Sequence, residues 1–378
     1  MTDGPLAHLR VLDLSRMLPG AYCTGLLSDL GADVLRVEQP GSGDAMRFIP
    51  GVNAAYHRGK RSLTLDVKHA DAPGVLRRLI DHVDVVVESG LPRPLAAAGI
   101  TYSDLARTRP ELVWCSITGF GPDSPYAARG GHDITFLGYS GLLALMAGDT
   151  VPPTPDFVLS VPIGALVAVV GILSAVAARD RTGHGRFVDT AIVDAATWVL
   201  GEAVARVADG QPAGWGQAAN RRAYRTSDGR LITLAAAEPR TWKALCDALE
   251  RPDLEARFAT PADGQDALAE DLAALFASRP AADWVARLAD AGAAVGPVCT
   301  VEDLLTDAHV VSRGSIVELD DAGTHALRSP VRLRGVDGTE PSFEPGPPPE
   351  LGEHTDGALA AAGFTVDEIT ALHRAGAV

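Results

Sequence analysis

The sequence predicts an α/β protein, with a large domain on a mostly parallel sheet and a smaller α+β domain. Three observations lead there. Through the first hundred residues, short apolar runs alternate with helix-period segments, the rhythm of strand–helix–strand units. The 378 residues leave room for two or three domains of roughly 150 residues each. A composition of 47% hydrophobic and 21% charged residues is that of a globular protein and excludes wholesale disorder.

Taken in order, Leu9–Ser15 (LRVLDLS) alternates apolar residues as a strand does. GAYCTGLLSDLGA reads as a helix stopped at Gly31, which can take the left-handed conformation that ends helices. Asp33–Pro40 and Ser62–Val67 are the next strands. APGVLRRLIDHV is a helix with Pro73 in its first turn, and Asp84–Gly90 and Leu112–Gly121 are further strands. Residues 134–178 and 188–208 read as mostly helical. The Gly- and Ala-rich tract Gly210–Asn220 is a linker. AYRTSDGRLITLAA then turns as a hairpin at Ser227–Asp228–Gly229, and helices follow from Arg240 to Ala291. FEPGPPPELGEHTDG is too rich in Pro and Gly for a central element, and a short helix pair around Val366–Arg374 closes the chain. The expected domains are 1–210 with 330–378 (large) and 225–329 (small), joined by a linker at 211–224.

Several classes drop out. The net charge of −15 and 5% aromatic content argue against a nucleic-acid partner. Cys23, Cys115, Cys246 and Cys299 are scattered, with no CxxC pair, which argues against zinc and disulfides and fits a reducing cytoplasm. The opening MTDGPLAHLRVLDLS lacks the basic-then-apolar pattern of a secretory signal. Phe157–Ala178 runs 22 residues without a charge, long enough to span a bilayer. Its small residues, early Pro162 and lack of an aromatic belt favour a core helix packed on all sides, so no membrane partner is expected.

Candidate chemistry falls in four places. Between Asp33 and Arg61 stand five basic side chains, among them Arg36, Arg58, Lys60 and Arg61, against three acidic ones. On a loop before a strand they could hold phosphates through charge-assisted bonds, or be a solvated basic loop. TGFGP begins like GxGxxG but breaks at Pro122 and Ser124, so a dinucleotide site is not expected. GGHD opens a helix: Asp133 suits the N-cap, and His132 would sit just outside it beside Gly130 and Gly131, which allow close approach of a ligand. Glu238, before Pro239, stands where a strand ends and a helix begins.

The segments RVLDLSRMLPGAYCTGLLSDLGADVLRVEQPGSGD, HRGKRSLTLDVK, ITGFGPDSPYAARGGHDITFLGYSG and GHGRFVDTAIVDAA resemble family III CoA-transferases, the CaiB/BaiF family, over nearly the whole chain. SDGRLITLAAAEPRTW is similar to the α-methylacyl-CoA racemase branch. The resemblance implies a Rossmann-like large domain, an interlocked homodimer and an acyl-CoA ligand, with no cofactor beyond the CoA carried by the substrate. It assigns Arg36, Arg58, Lys60 and Arg61 to the CoA nucleotide. It matches His132 to the family histidine and Glu238 to its carboxylate partner, and implies racemisation through removal and return of the proton α to the thioester. CoA transfer between carboxylates and an acyl-CoA-binding protein with altered chemistry are the alternatives.

The sequence departs from the family at two points. The family aspartate, which is the nucleophile of the transferases, aligns near Ser160–Pro162, where no carboxylate stands; Asp156, followed by Phe157, is the nearest candidate and could instead cap the apolar helix. The Arg-Pro usual in the family is Leu91-Pro92 here, with Arg93 shifted by two. Gly148–Pro155 and Gly210–Asn220 are expected to shape the acyl pocket.

Overall fold

The computed structural model describes residues 4–90, 93–147, 155–216, 218–261, 264–319, 324–338 and 346–378. The chain divides into two compact units, Met1–Ala205 with Gly314–Val378, and Arg206–Arg313. These boundaries differ from the sequence reading, which placed a linker at 211–224 and resumed the large domain at 330.

Unit 1 is built on a six-stranded parallel sheet: β1 (Arg10–Asp13), β2 (Asp33–Glu38), β3 (Arg61–Thr64), β4 (Val85–Glu88), β5 (Val113–Thr118) and β6 (Phe187–Ala191). The order β3-β2-β1-β4-β5-β6 is the doubly wound Rossmann arrangement, with its switch point between β1 and β4. Its helices are α1 (Met17–Asp29), α2 (Pro50–His57), α3 (Ala72–Ile80), α4 (Arg93–Ala97), α5 (Tyr102–Leu105), α6 (Asp133–Ser140), α7 (Leu142–Ala147), α8 (Ser160–Thr182), α9 (Ile192–Trp198) and α10 (Gly201–Ala208), the last crossing the unit boundary.

Two cores cover the faces of the sheet. One packs Val75, Leu76, Leu79 and Ile80 of α3 against Leu35, Leu63 and Trp114. The other packs Cys23 and Leu27 of α1 with Ala165, Val169 and Ile172 of α8 onto Val34, Val85, Val87 and Val113. Strands covered on both faces are nearly all apolar, which is why VVV in β4 needs no alternation.

Three expectations are corrected. The segment 188–208 does not begin as helix: Phe187–Ala191 joins the sheet beside β5, and its Val188 and Thr190 suit a strand. The basic loop is shorter than expected, because α2 runs to His57 and β3 starts at Arg61. Helix α8 is long and apolar enough to cross a membrane by length and composition, but it is not packed on all sides: Val161, Ala165, Ala168, Val169 and Ile172 are buried, while Leu166, Val167 and Val170 face outward, Val170 at 64% exposure.

Unit 2 holds β7 (Arg221–Arg225), β8 (Leu231–Ala235), α11 (Pro239–Leu249), α12 (Gln265–Phe276), α13 (Ala281–Leu288), β9 (Val295–Pro297), α14 (Val301–Leu304) and α15 (Ala308–Arg313). The hairpin turns through Asp228 and Gly229, whose φ of +79° suits glycine. Its first strand begins inside the stretch read as linker. The core centres on Trp242, Trp284 and Phe276, and both indole N–H groups are satisfied, by Leu254 O at 2.9 Å and Phe276 O at 2.8 Å.

The chain then returns to unit 1 as β10 (Ile316–Glu318), β11 (His325–Leu327), α16 (Thr355–Ala361) and α17 (Val366–Ala375). This return begins earlier than expected because β11 docks on α2, where the Arg58 guanidinium donates to Leu327 O at 2.8 Å. The segment around α16 sits on the open edge of β3: Ser62 N–H donates to His354 Nδ1 at 3.3 Å and Thr64 N–H to Thr355 Oγ1 at 3.0 Å.

Gly185 enters β6 so close to the preceding chain that a Cβ there would lie 2.0 Å from the Leu112 carbonyl oxygen. Gly185→Ala is therefore expected to destabilise unit 1 by about 1–3 kcal/mol, the range for overpacking. An unchanged urea midpoint would refute this.

Candidate active site

Parallel sheets of this type bind ligands at the carboxyl ends of their strands, at the switch point. That edge carries Asp13 at the end of β1, Glu38 at the end of β2 and Glu88 at the end of β4. The chain leaves β1 through Ser15 and Arg16, whose N–H donates to Ser89 Oγ at 2.9 Å, tying the two lips of the crevice together. Met17 follows with φ of +61°, a left-handed conformation that costs a non-glycine residue about 1–3 kcal/mol. Its N–H donates to Asp44 Oδ2 at 3.0 Å, which holds it there.

The basic residues expected on a phosphate loop are mostly inside the protein. Lys60 is fully buried: its ammonium donates to Thr24 Oγ1 at 2.6 Å and His57 Nδ1 at 3.1 Å and faces Asp13 Oδ2 at 3.6 Å. Burial pulls its pKa down to about 8, against the attraction of Asp13. The other ring nitrogen of His57, Nε2, is buried and has no hydrogen-bond partner among the described residues. Arg36 is buried between Glu38 at 3.5 Å and Asp44 at 3.4 Å. Arg58 pairs with Asp29. Arg61 opens β3 and makes two bonds to Asp33, the first residue of β2, at 2.8 and 2.7 Å, so it stands at the amino edge, away from the switch point. Arg36, Arg58 and Lys60 are therefore not on a solvated loop, and within the chain each of the four side chains is paired with a carboxylate.

Glu38 is the hub of the second cluster. Burial alone would raise its pKa, but Arg47 (2.8 and 2.7 Å), the Arg36 charge and Ser62 Oγ (2.7 Å) bring it down to about 2. His57 is held neutral by burial and by Lys60, Arg36 and Arg47 around it. Nothing in the local sequence pattern marked these partners beyond one sign, a charged Asp13 inside an apolar strand.

His132 stands on the connection that leaves the carboxyl end of β5. It is exposed and is itself the N-cap of α6, its N–H donating to Thr135 Oγ1 at 3.4 Å. Asp133, expected to be that cap, has another task. Its carboxylate accepts from Leu159 N–H at 3.0 Å, Ser160 Oγ at 2.7 Å and Val161 N–H at 2.9 Å, and so caps α8. This caps a helix whose own opening residues supply no carboxylate. Gly131 is explained by packing, since a Cβ there would lie 2.6 Å from the Phe136 ring; Gly130 faces open space.

Asp156 is exposed, four residues before α8, and forms no hydrogen bond or ion pair among the described residues. It is not the cap of α8. In unit 2, Glu238 is the exposed N-cap of α11, with Pro239 at N1 and its N–H donating to Thr241 Oγ1 at 3.2 Å. Leu91-Pro92 and nearly all of the loop 148–155 lie outside the described residues, as does Gln217 of the 210–220 tract. Among the described residues no group of three or more His, Cys, Asp or Glu could hold a metal ion.

The model of CoA-transferase family III matches residues 6–355. The chain belongs to that family. A CAIB/BAIF family protein from Brucella suis, known as a crystal structure, shares 32% identity at a TM-score of 0.81, covering 95% of this chain and 99% of that one. Mouse succinyl-CoA:glutarate CoA-transferase is 30% identical, covering 93% of this chain and 85% of the relative. Human α-methylacyl-CoA racemase is also 30% identical, covering 97% and 96%. Transferases at 27–33% identity bracket the racemases at 30%, so overall likeness does not rank the two reactions.

The buried charges fix an acid response. Below about pH 6.5 the unfolded chain protonates His57 while the fold keeps it neutral. Between pH 4.5 and about 2 the unfolded chain protonates Glu38 while the fold keeps it ionised. In both windows these two groups bind more protons in the unfolded state, so each contributes a loss of stability as pH falls; Asp29, whose pKa burial raises to about 6, contributes the opposite between about pH 6 and 3.8. Glu38→Gln is expected to cost about 3–5 kcal/mol at neutral pH by removing the carboxylate partner of Arg47 and one of the two that flank Arg36, and to flatten the loss between pH 4.5 and 2. Urea midpoints across pH would check this; an unaltered acid slope would contradict it.

Proposed function

We propose that the protein is a racemase or epimerase of 2-methylacyl-CoA thioesters. The observation that carries the reading is the opening turn of α8. Where the family aspartate stands, this chain has Ser160, Val161 and Pro162, with the Asp133 carboxylate taken up in capping; that departure weighs on both reactions unless Asp156 serves in its place, but the racemase reading keeps His132 and Glu238 without it. Proton exchange needs no acyl nucleophile. It needs an accessible group that can take and give a proton, and an exposed imidazole at the end of a glycine-bearing loop is one.

In this reading His132 takes the proton from C2 of the thioester, and Glu238 orients the imidazole, as the family resemblance assigns. Asp156, without a hydrogen bond or ion pair among the described residues, is the second acid/base group and returns a proton on the opposite face. CoA enters as part of the substrate, and no other cofactor takes part. The protein acts as a homodimer. Support for a second copy comes from apolar surface left open within one chain: Leu166, Val167 and Val170 of α8, Val204 and Val207 of α10, and Trp198 at 79% exposure.

Incubating a 2-methylacyl-CoA with the protein in D₂O should place deuterium at C2 without cleaving the thioester. His132→Ala should slow exchange by roughly 10²–10⁴-fold, the usual contribution of one general acid/base. Acceptor-dependent CoA transfer without C2 deuteration would overturn the reading in favour of a transferase. Binding of acyl-CoA with neither reaction would leave a binding protein.

Asp156→Asn should strongly impair turnover of one enantiomer and leave the fold intact; unchanged kinetics for both would remove Asp156 from the mechanism. Light scattering at micromolar concentration should show a dimer, and a native monomer would refute the self-association.

A further inference from the structure

Three residues before His132, the loop carries an arginine held by two tyrosines. Arg129 is exposed, its guanidinium lies 3.9 Å over the Tyr126 ring, and its Nη1 donates to Tyr139 Oη at 2.6 Å. Tyr126 and Tyr139 lie 5.5 Å apart and both pack on Phe120, at 5.8 and 5.0 Å between ring centres. Phe120 also packs on Phe136, the ring that excludes a side chain at Gly131. The arginine is thus anchored through an aromatic cluster to the same loop that presents His132.

Among the described residues Arg129 forms no ion pair. That sets it apart from Arg36, Arg47, Arg58 and Arg61, each matched with a carboxylate. A guanidinium carries five N–H donors, and here one goes to the phenol while the ring takes a face. The edges that remain suit a planar or tetrahedral oxyanion, and a guanidinium already fixed by two tyrosines loses less freedom when it binds one.

We infer that Arg129 is a specificity-determining residue that receives an oxyanion of the acyl-CoA ligand. The inference rests on the acyl-CoA reading above. Two parts of the ligand could supply the anion, a carboxylate on the acyl chain or a phosphate of the nucleotide. The stacked, bidentate-ready geometry is common to both.

The test is binding by calorimetry of two acyl-CoAs of equal length, one ending in a carboxylate and one in a methyl group, and of the matching pantetheine thioesters. Arg129→Gln should weaken binding by about 10- to 100-fold where the anion is present, the range for bonds to a charged group. A loss confined to the carboxylate-ended thioesters supports the inference with the acyl chain as source. A loss for both acyl-CoAs but neither pantetheine thioester supports it with the nucleotide as source. Tyr139→Phe keeps the ring and the fold while freeing the guanidinium, and should cost about 2- to 10-fold on the same ligands. Unchanged binding in both variants overturns the inference alone. If the unaltered protein binds no acyl-CoA at all, the functional reading falls and the inference with it.

Discussion

Charge neutrality in a place without water governs the carboxyl edge of the sheet. Lys60 and Asp13 are both buried, as are Arg36 and Glu38, and an ion left alone there would cost several kcal/mol. Each is therefore matched, and the matching crosses element boundaries. Thr24 and His57 bring α1 and α2 to Lys60. Arg47 brings in the turn before α2, and Ser62 brings in β3. Asp44, paired with Arg36, also holds the left-handed Met17 at the mouth of the switch point. The shape of the crevice is thus a by-product of satisfying buried charge, and a substitution among these residues would alter it without touching a ligand.

A second constraint acts on the other side of the switch point. By capping α8 from α6, Asp133 fixes the start of the long apolar helix against the start of the helix that bears His132. The absent carboxylate at Ser160–Pro162 is therefore replaced structurally, though by a group with its acceptors engaged.

Much of this was legible beforehand. Strand–helix alternation and Gly31 marked the first five strands and α1, because these are local patterns. The strand Phe187–Ala191 was missed: five residues hidden in a helical stretch become a strand only when β5 is there to pair with them. The basic residues were read as surface because their partners are remote; Lys60 and Asp13 are separated by most of two strand–helix units, and no local pattern links them. His132 stood out from its two glycines and the helix behind it. The true task of Asp133 did not, since the groups it caps lie 26–28 residues on. Arg129 looked like one charge among many until the two tyrosines were seen around it.

The edge of β3 has a consequence for how the protein is made. Ser62 and Thr64 are covered by His354 and Thr355, which are synthesised about 290 residues later. At the roughly 5–20 residues per second of protein synthesis, the strand waits on the order of 15–60 s with unpaired backbone groups. Unit 2 lies wholly within that interval of the chain and can fold during it. A nascent chain stalled before the tail would expose an open sheet edge, the kind of surface through which chains associate wrongly. The last stretch of the sequence thus works as a seal on one side: only when it arrives is the β3 edge of the sheet covered.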